Sequence, residues 1–284
     1  MQKRVFITVL TYPTPSHKYI ETVCTAGITA DGEWIRIYPI QLRLLNATRK
    51  ETARIRKYCW YTFDLEPRTR DKDMRKESHF CVSLPTTCEG HVDTRDGWKE
   101  RKQICLRTEV FHNYSQLEVA SDTGRQDFIS LATFKPKEII DFVAVPKDPA
   151  ETEREKNEVL ENLRIQAELI EGFDIPEYWK MAQSIPYTFY YVFKDDSDTE
   201  YRLMVEDWET MMLYLNCRNQ GEQKAIEKVR DKYFNEFKNK DLYFFMGTRR
   251  EAHLRRWKKP YSIVGVFYPP KEIQPELELF DENS

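Results

Sequence analysis

The stretch Glu21–Ile40, ETVCTAGITADGEWIRIYPI, decides the fold. Two β-branched, apolar runs flank Ala30-Asp31-Gly32, and an Asp-Gly between such runs signals a hairpin. In the second run the residues alternate: Ile35 and Ile37 fall on one face, Trp34, Arg36 and Tyr38 on the other. Side chains of a strand point to opposite sides in turn. The isoleucines therefore face a core, and Trp34, Arg36 and Tyr38 form an aromatic–cation–aromatic row on the outer face.

Outward from this hairpin the pattern stays β. RVFITVLTYP (4–13) precedes it, and a third strand spans Tyr58–Leu65. Cys81–Leu84 and Gln103–Leu106 are weaker candidates, and EIIDFVAV closes the series after a strand near 128–134. Short strands in this number imply a small barrel or sandwich over 1–146. Residues 147–182 are charged and carry a helical stripe, Leu160, Leu163, Ala167 and Ile170. They read as a helical linker. Residues 183–270 mix strands with helices. Tyr187–Phe193 and Tyr201–Val205 form a hairpin across the DDSD turn. Asp207 caps a helix with Trp208, Met211, Met212 and Leu215 inward. A second helix presents Ile226, Val229, Tyr233 and Phe237, and two strands follow, Asp241–Met246 and Tyr261–Tyr268. The tail, 271–284, is acidic. The fold class expected is α+β.

These segments have a family likeness. ETVCTAGITADGEWIRIYPI, KYCWYTFDLE and RKESH, then IPYTFYYVF, VEDWETMMLYLNC, DLYFFMGT and YSIVGVFYPP, resemble a bacterial family of dual OB-containing domain proteins. The likeness covers roughly 1–145 and 183–270. It implies two OB-like barrels and a setting in prokaryotic conflict and mobile elements. The helices inserted in the second half depart from a minimal five-stranded OB-fold. The family has no established catalytic residues, so none is carried over.

Composition bounds the chemistry. In 284 residues the net charge is −3, so any nucleic-acid site must be a local patch. No apolar run reaches 18 residues, which implies no membrane span, and the N-terminal run lacks a signal-peptide cleavage pattern. The six cysteines have no metal-site spacing, and the nearest grouping is His79, Cys81, Cys88 and His91. They read as reduced thiols of a cytoplasmic protein.

Two cationic segments stand out. Residues 43–57 carry Arg43, Arg49, Lys50, Arg54, Arg56 and Lys57 against Glu51. Residues 249–259 carry Arg249, Arg250, Arg255, Arg256, Lys258 and Lys259 against Glu251, with His253 and Trp257 among them. Cations neutralise phosphates and aromatic faces stack bases. The expected partner is nucleic acid, met by Trp34, Arg36, Tyr38 and these segments, with defence against foreign DNA as the setting. Solvated loops are the plainer account of the same charge.

A second expectation is an enzyme on nucleotides or modified nucleic acid, with its site between the modules. Glu206, Asp207 and Glu209 cluster at a strand end, Asp241 stands at another, and such acids can hold Mg²⁺. Arg75, Glu77 and Ser78 form a polar group in a loop, read either as part of a site or as a buried Arg–Glu pair that orders the loop, and His253 lies near Gly247-Thr248. No nucleotide-binding, hydrolase or metalloprotease motif occurs, and no cofactor or catalytic residue is assigned. A third expectation is an adaptor. The tail peptide ELELF, with Leu277, Leu279 and Phe280, resembles a clamp-binding peptide and could dock on a protein partner.

Overall fold

The computed structural model describes residues 1–16, 20–42, 45, 55–68, 73, 75–85, 87–122, 124–125, 127–168, 181–249, 252 and 260–272. Two seven-stranded sheets organise the chain. The first holds β1 (Gln2–Leu10), β2 (Thr14–Ser16), β3 (Ile20–Thr29), β4 (Trp34–Gln41), β5 (Cys59–Pro67), β6 (Ser78–Ser83) and β7 (Gly90–His91). Its five long strands run β1-β3-β4-β6-β5, and β5 pairs back with β1, so they close a barrel. All neighbours in it are antiparallel except β4 and β6, which are parallel. Gly32, at φ +86°, lets the chain turn between β3 and β4.

Alternation along these strands explains the core. Val5, Ile7, Ile35, Ile37, Cys59, Tyr61, Phe63 and Leu65 point into the barrel and are fully or nearly fully buried. The residues between them on β1 do not face water. Phe6 and Val9 join a second cluster with Leu131, Phe245, Val264 and Phe267. One face of β1 packs the barrel, the other packs the neighbouring module, so every residue from Val5 to Val9 is buried. A Cβ at Gly27 would lie 2.2 Å from the Phe6 carbonyl oxygen, so the β1–β3 approach demands glycine there.

α1 (Arg95–Cys105) packs on the cluster between the modules. It begins with three residues of positive φ, Asp96, Gly97 and Trp98, before the regular turns. Gln103–Leu106, expected as a strand, belongs to this helix and its cap. Trp98, Arg101 and Cys105 recur at helical spacing against the inter-module cluster, and that packing decides the conformation.

The second sheet holds β8 (Val110–Phe111), β9 (Leu131–Phe134), β10 (Glu138–Pro146), β11 (Tyr187–Lys194), β12 (Glu200–Val205), β13 (Tyr243–Thr248) and β14 (Tyr261–Phe267). Its order is β10-β11-β12-β14-β13-β9-β8. Only Lys135, Pro136 and Lys137 separate β9 from β10, so these two act as one interrupted strand. Its first half pairs with β13 and its second half with β11. The path therefore returns on itself through the chain, and β12 and β14 are parallel, as β4 and β6 are in the first barrel. The two modules repeat one strand order.

Residues 131–146 thus pair in the second sheet, although their sequence groups them with the first 146 residues. A β run carries no compositional mark of which sheet it will join. α2 (Tyr114–Ala120) lies between β8 and β9. α3 (Pro149–Glu168) packs against β2 and β3. On it Val159 and Asn162 are buried and Leu160 is exposed, one position off the expected stripe. Between β12 and β13 stand α4 (Trp208–Cys217) and α5 (Glu222–Arg230), extended by a wider turn over Asp231–Glu236. Thr210, Met211 and Tyr214 of α4 are buried, with Ala225, Val229, Tyr233 and Phe237 from the following helical segments. Among the described residues no helix is long and apolar enough to cross a membrane.

Candidate nucleic-acid interface

The outer face of β3 and β4 is not open. Trp34 packs edge-on against Phe245 of the second module, with ring centroids 5.3 Å apart. Arg36 is 2% exposed. Its Nη1 donates to the Ser130 hydroxyl at 2.7 Å and to Ser78 Oγ at 3.3 Å. Its Nη2 donates to the Ser130 carbonyl at 2.9 Å and to the Thr248 carbonyl at 3.4 Å. Glu77 completes the network by accepting from the Ser130 N–H at 2.8 Å and the Ser130 hydroxyl at 3.0 Å. Arg75 donates to the Thr248 carbonyl at 2.8 Å, and its fork grips Asp73 at 2.7 and 2.8 Å. Burial, then the Arg75 cation, pulls the Arg36 pKa down, while Glu77 and Asp73 pull it back. Arg36, expected on an open binding face, and Arg75 and Glu77, expected as a polar loop group, are buried where the modules join. Tyr38 is half-buried, with Arg68 5.1 Å from its ring centre and Thr22 Oγ1 3.3 Å from its hydroxyl.

A second polar contact joins the modules. Lys57 Nζ donates to Asp207 Oδ1 and, at 3.3 Å, to Glu209 Oε2. Asp207 also caps α4, accepting from the Glu209 and Thr210 N–H groups at 3.1 and 3.3 Å. Burial works to lower the Lys57 pKa, but the Asp207 and Glu209 carboxylates outweigh it and raise it. Lys57 holds the Glu209 carboxyl below its ordinary value. One residue before Asp207, Glu206 accepts from Arg249 Nη2 at 2.5 Å and from the Ser262 hydroxyl. The described ends of both cationic segments, Lys57 and Arg249, are thus held by consecutive acids.

The acids considered for a metal are engaged differently. Asp207 is paired with Lys57, and Asp241 with Lys135 and, at 3.0 Å, with the Tyr243 hydroxyl. Among the described residues no three His, Cys, Asp or Glu side chains converge to hold a metal ion. Arg56 is exposed. Arg43, Arg54, His253, Arg255, Arg256 and Trp257 lie outside the described residues, as do Leu277, Leu279 and Phe280.

The equivalent strands of the second barrel, β11 and β12, present an open counterpart. Phe189, Tyr191 and Phe193 point inward and are fully buried. Between them Thr188, Tyr190, Val192 and Lys194 lie half-buried on the outer face. Tyr190 pairs across with Met204, and Val192 with the exposed Arg202. The Arg202 guanidinium lies over the Tyr190 ring, 4.3 Å from its centre. Arg249 Nη2 reaches the Met204 sulfur at 3.5 Å, so this face runs on to the start of the 249–259 segment. Tyr190 and Arg202 are absent from the sequence reading. The alternation in YTFYYVFK was the signal, overshadowed by its aromatic content.

At the end of this face a cleft of about 330 Å³ opens between the modules. Thr188, Tyr187, Met204 and Arg249 line one side, and Tyr12 and Glu21 of the first module another. Glu21 is 6% exposed, and both its carboxylate oxygens accept from the Ala182 N–H, at 3.0 and 3.2 Å. Burial pushes the Glu21 carboxyl up to about 7, partly offset by that N–H. The Tyr12 hydroxyl donates to the Gln183 carbonyl at 2.7 Å. A wider depression of about 650 Å³ also follows the module boundary, lined by Lys3, Glu33, Lys76, His79 and Arg107 among others.

The chain is therefore a protein of two joined β modules that repeat one strand order, with one outer strand face sealed and its counterpart open. Residues 1–107 match the family described as Domain of unknown function (DUF8758), and residues 112–284 that described as Domain of unknown function (DUF8757); the chain belongs to the latter family. The two matches flank β8, where the path passes from the first sheet to the second. No curated protein matches the chain in sequence.

Proposed function

We propose that the protein binds nucleic acid, on the second barrel. The observation that carries this is the continuous outer surface formed by Tyr190, Arg202, Met204 and Arg249. The strand order of both modules fits an OB-like barrel, in which the face of the second and third strands and the fourth–fifth connection meet oligonucleotides. In the second barrel those parts are β11–β12 and residues 249–259, the cationic segment. Stacking on Tyr190 and Arg202 supplies base contact, and the arginines and lysines of 249–259 supply phosphate contact. Lys57, the described end of the segment 43–57, reaches Asp207 beside Glu206. By its resemblance to bacterial dual OB-containing proteins, the protein acts in defence against foreign DNA.

The test is a salt-titrated binding assay on single- and double-stranded DNA and RNA. Affinity should fall steeply with salt, and R255A/R256A should flatten the log–log slope by about 2, one for each phosphate contact removed. Y190A should weaken binding by about 1–3 kcal/mol, the range for one stacked base. Absence of binding to all four at low salt would sink the proposal.

A further inference from the structure

The cleft at the end of the β11–β12 face is not needed to explain backbone binding, yet it is built for something. Its outer side continues the proposed strand path through Thr188 and Met204. Its floor and walls are mainly apolar, with Pro13, Ile185, Met181 and Met211. Two partly exposed aromatic side chains, Tyr12 and Tyr187, enter from the two modules. Cations mark it at separate places: Arg249, paired with Glu206, at the β13 end, Lys147, paired with Glu155, just before α3, and Lys156 on α3. Glu21 is the nearly buried carboxyl among them. Aromatic and apolar walls, the nearly buried Glu21 carboxyl and peripheral cations, with Glu155 and Glu206 beside two of them, match the three parts of a nucleotide: base faces, base edge and phosphate.

We propose that this cleft takes one unstacked nucleotide, its base between the apolar walls and the tyrosines, its edge at Glu21 and its phosphate toward Arg249, Lys147 and Lys156. This rests on the nucleic-acid reading for its natural source, a strand lying on β11–β12. A free nucleoside phosphate has the same chemistry and is the other source. The volume of about 330 Å³ is at the lower end of small-molecule pockets and admits one base with its sugar, not a stacked pair. Extruding a single nucleotide into such a pocket costs its stacking in the strand, which pocket stacking and edge hydrogen bonds replace. The raised Glu21 carboxyl fits that role: the neutral acid offers one donor and one acceptor to a base edge and avoids burying a bare charge.

The experiment uses the full chain with two probes: adenosine, cytidine, guanosine and uridine monophosphates, and a single-stranded 12-mer. Calorimetry or NMR should detect mononucleotide binding with Kd on the order of 0.1–1 mM, that is about 4–5.5 kcal/mol. T188W fills the cleft. It should abolish mononucleotide binding and weaken the 12-mer about tenfold without changing its salt slope. Y187L keeps bulk but removes the ring, and should weaken both probes several-fold; it decides the matter if T188W does not fold. Undiminished mononucleotide and 12-mer binding by a folded T188W would overturn the cleft while leaving the strand surface standing. So would absence of mononucleotide binding together with an unaffected 12-mer. Mononucleotide binding lost in T188W, with no 12-mer binding by the parent chain, would keep the cleft as a free-nucleotide site and remove the strand reading instead.

Discussion

Two hairpins in this molecule carry the same local device and use it in opposite ways. On β4, Trp34 and Arg36 stand on the face away from their barrel core. On β11 and β12, Tyr190 and Arg202 do likewise. In the first pair Arg36 is sealed against the second module by Ser130 and Trp34 packs half-buried on Phe245; the second keeps an exposed arginine on a half-exposed ring. An aromatic–cation pair on an outer strand face therefore specifies adhesion, not its target. The target is set by what the other barrel covers. Where the face is covered, the guanidinium must find a full set of acceptors, because an unpaired buried charge is expensive. Arg36 finds them in Ser78, Ser130 and Thr248, with Glu77 behind. Where the face is open, water completes the shell, and the group stays available.

The sharpest way to break this contrast is R36A. It leaves Glu77 buried, with its cationic neighbour removed, and opens a void between the modules. Loss of one partner of a buried charged network costs about 3–5 kcal/mol. The expected result is a large fall in the denaturant midpoint, while the fraction still folded binds oligonucleotide as the parent does. Reduced affinity at full folding would instead place Arg36 in the binding surface.

A smaller loss is expected for D207A. It removes the α4 cap, worth about 1 kcal/mol, and one of two carboxylates facing Lys57. Glu209 remains to pair with the ammonium, so the total should be about 3 kcal/mol, below R36A. Urea unfolding measures it. The Glu209 carboxyl is held low by Lys57, so its contribution is present above the ordinary glutamate range and fades as pH falls below it. An ordinary cap loss of about 1 kcal/mol would show that Lys57 contributes nothing to the contact.

Glu21 should behave in the reverse sense. Its carboxyl titrates at about 7 in the folded chain, against 4.5 ordinarily, so between those values the folded state binds the extra proton. Stability from this group therefore rises as pH falls from 8 to 5. Tyr12, Glu155, Lys147, Lys156, Glu206 and Arg249 share the cleft and set the local field. E21Q keeps the shape and removes the titration. It should stabilise the protein at pH 8 by on the order of 2 kcal/mol and leave it little changed at pH 5, since each unit of pKa shift is about 1.4 kcal/mol. Equal unfolding free-energy differences at both pH values would refute the assignment.

How much of this is legible in the sequence follows from the range of the forces involved. The β3–β4 hairpin is local: Asp31-Gly32 and the alternation on either side suffice. The helices of the second module are local too, as Asp207 and the Val229–Tyr233–Phe237 spacing show. Sheet membership is not. Leu131–Phe134 and Glu138–Pro146 look like a continuation of the first strands, and only pairing with β13 and β11, about 110 and 50 residues further on, assigns them elsewhere. The same limit hides the fate of Arg36. Periodicity places it correctly on the outer face, but its acceptors at Ser130, just before β9, and Thr248, on β13, belong to another module. Tyr190 shows the converse: a dense aromatic run suggests pure core, while alternation reserves every second residue for the surface.

The smallest effect on stability and the most informative one on binding belong to R202A. Arg202 is exposed, and its contact with Tyr190 is a surface cation–π pair worth about 0.5–1 kcal/mol. Unfolding should move by no more than that. If β11–β12 is the strand path, the same substitution removes both a phosphate or base contact and the ordering of the Tyr190 ring, so affinity should drop several-fold and the salt slope should flatten by about 1. R36A and R202A then separate cleanly. The first loses stability and keeps affinity, the second keeps stability and loses affinity. Parallel losses in both variants would mean that the barrels do not divide adhesion and recognition between their two hairpins.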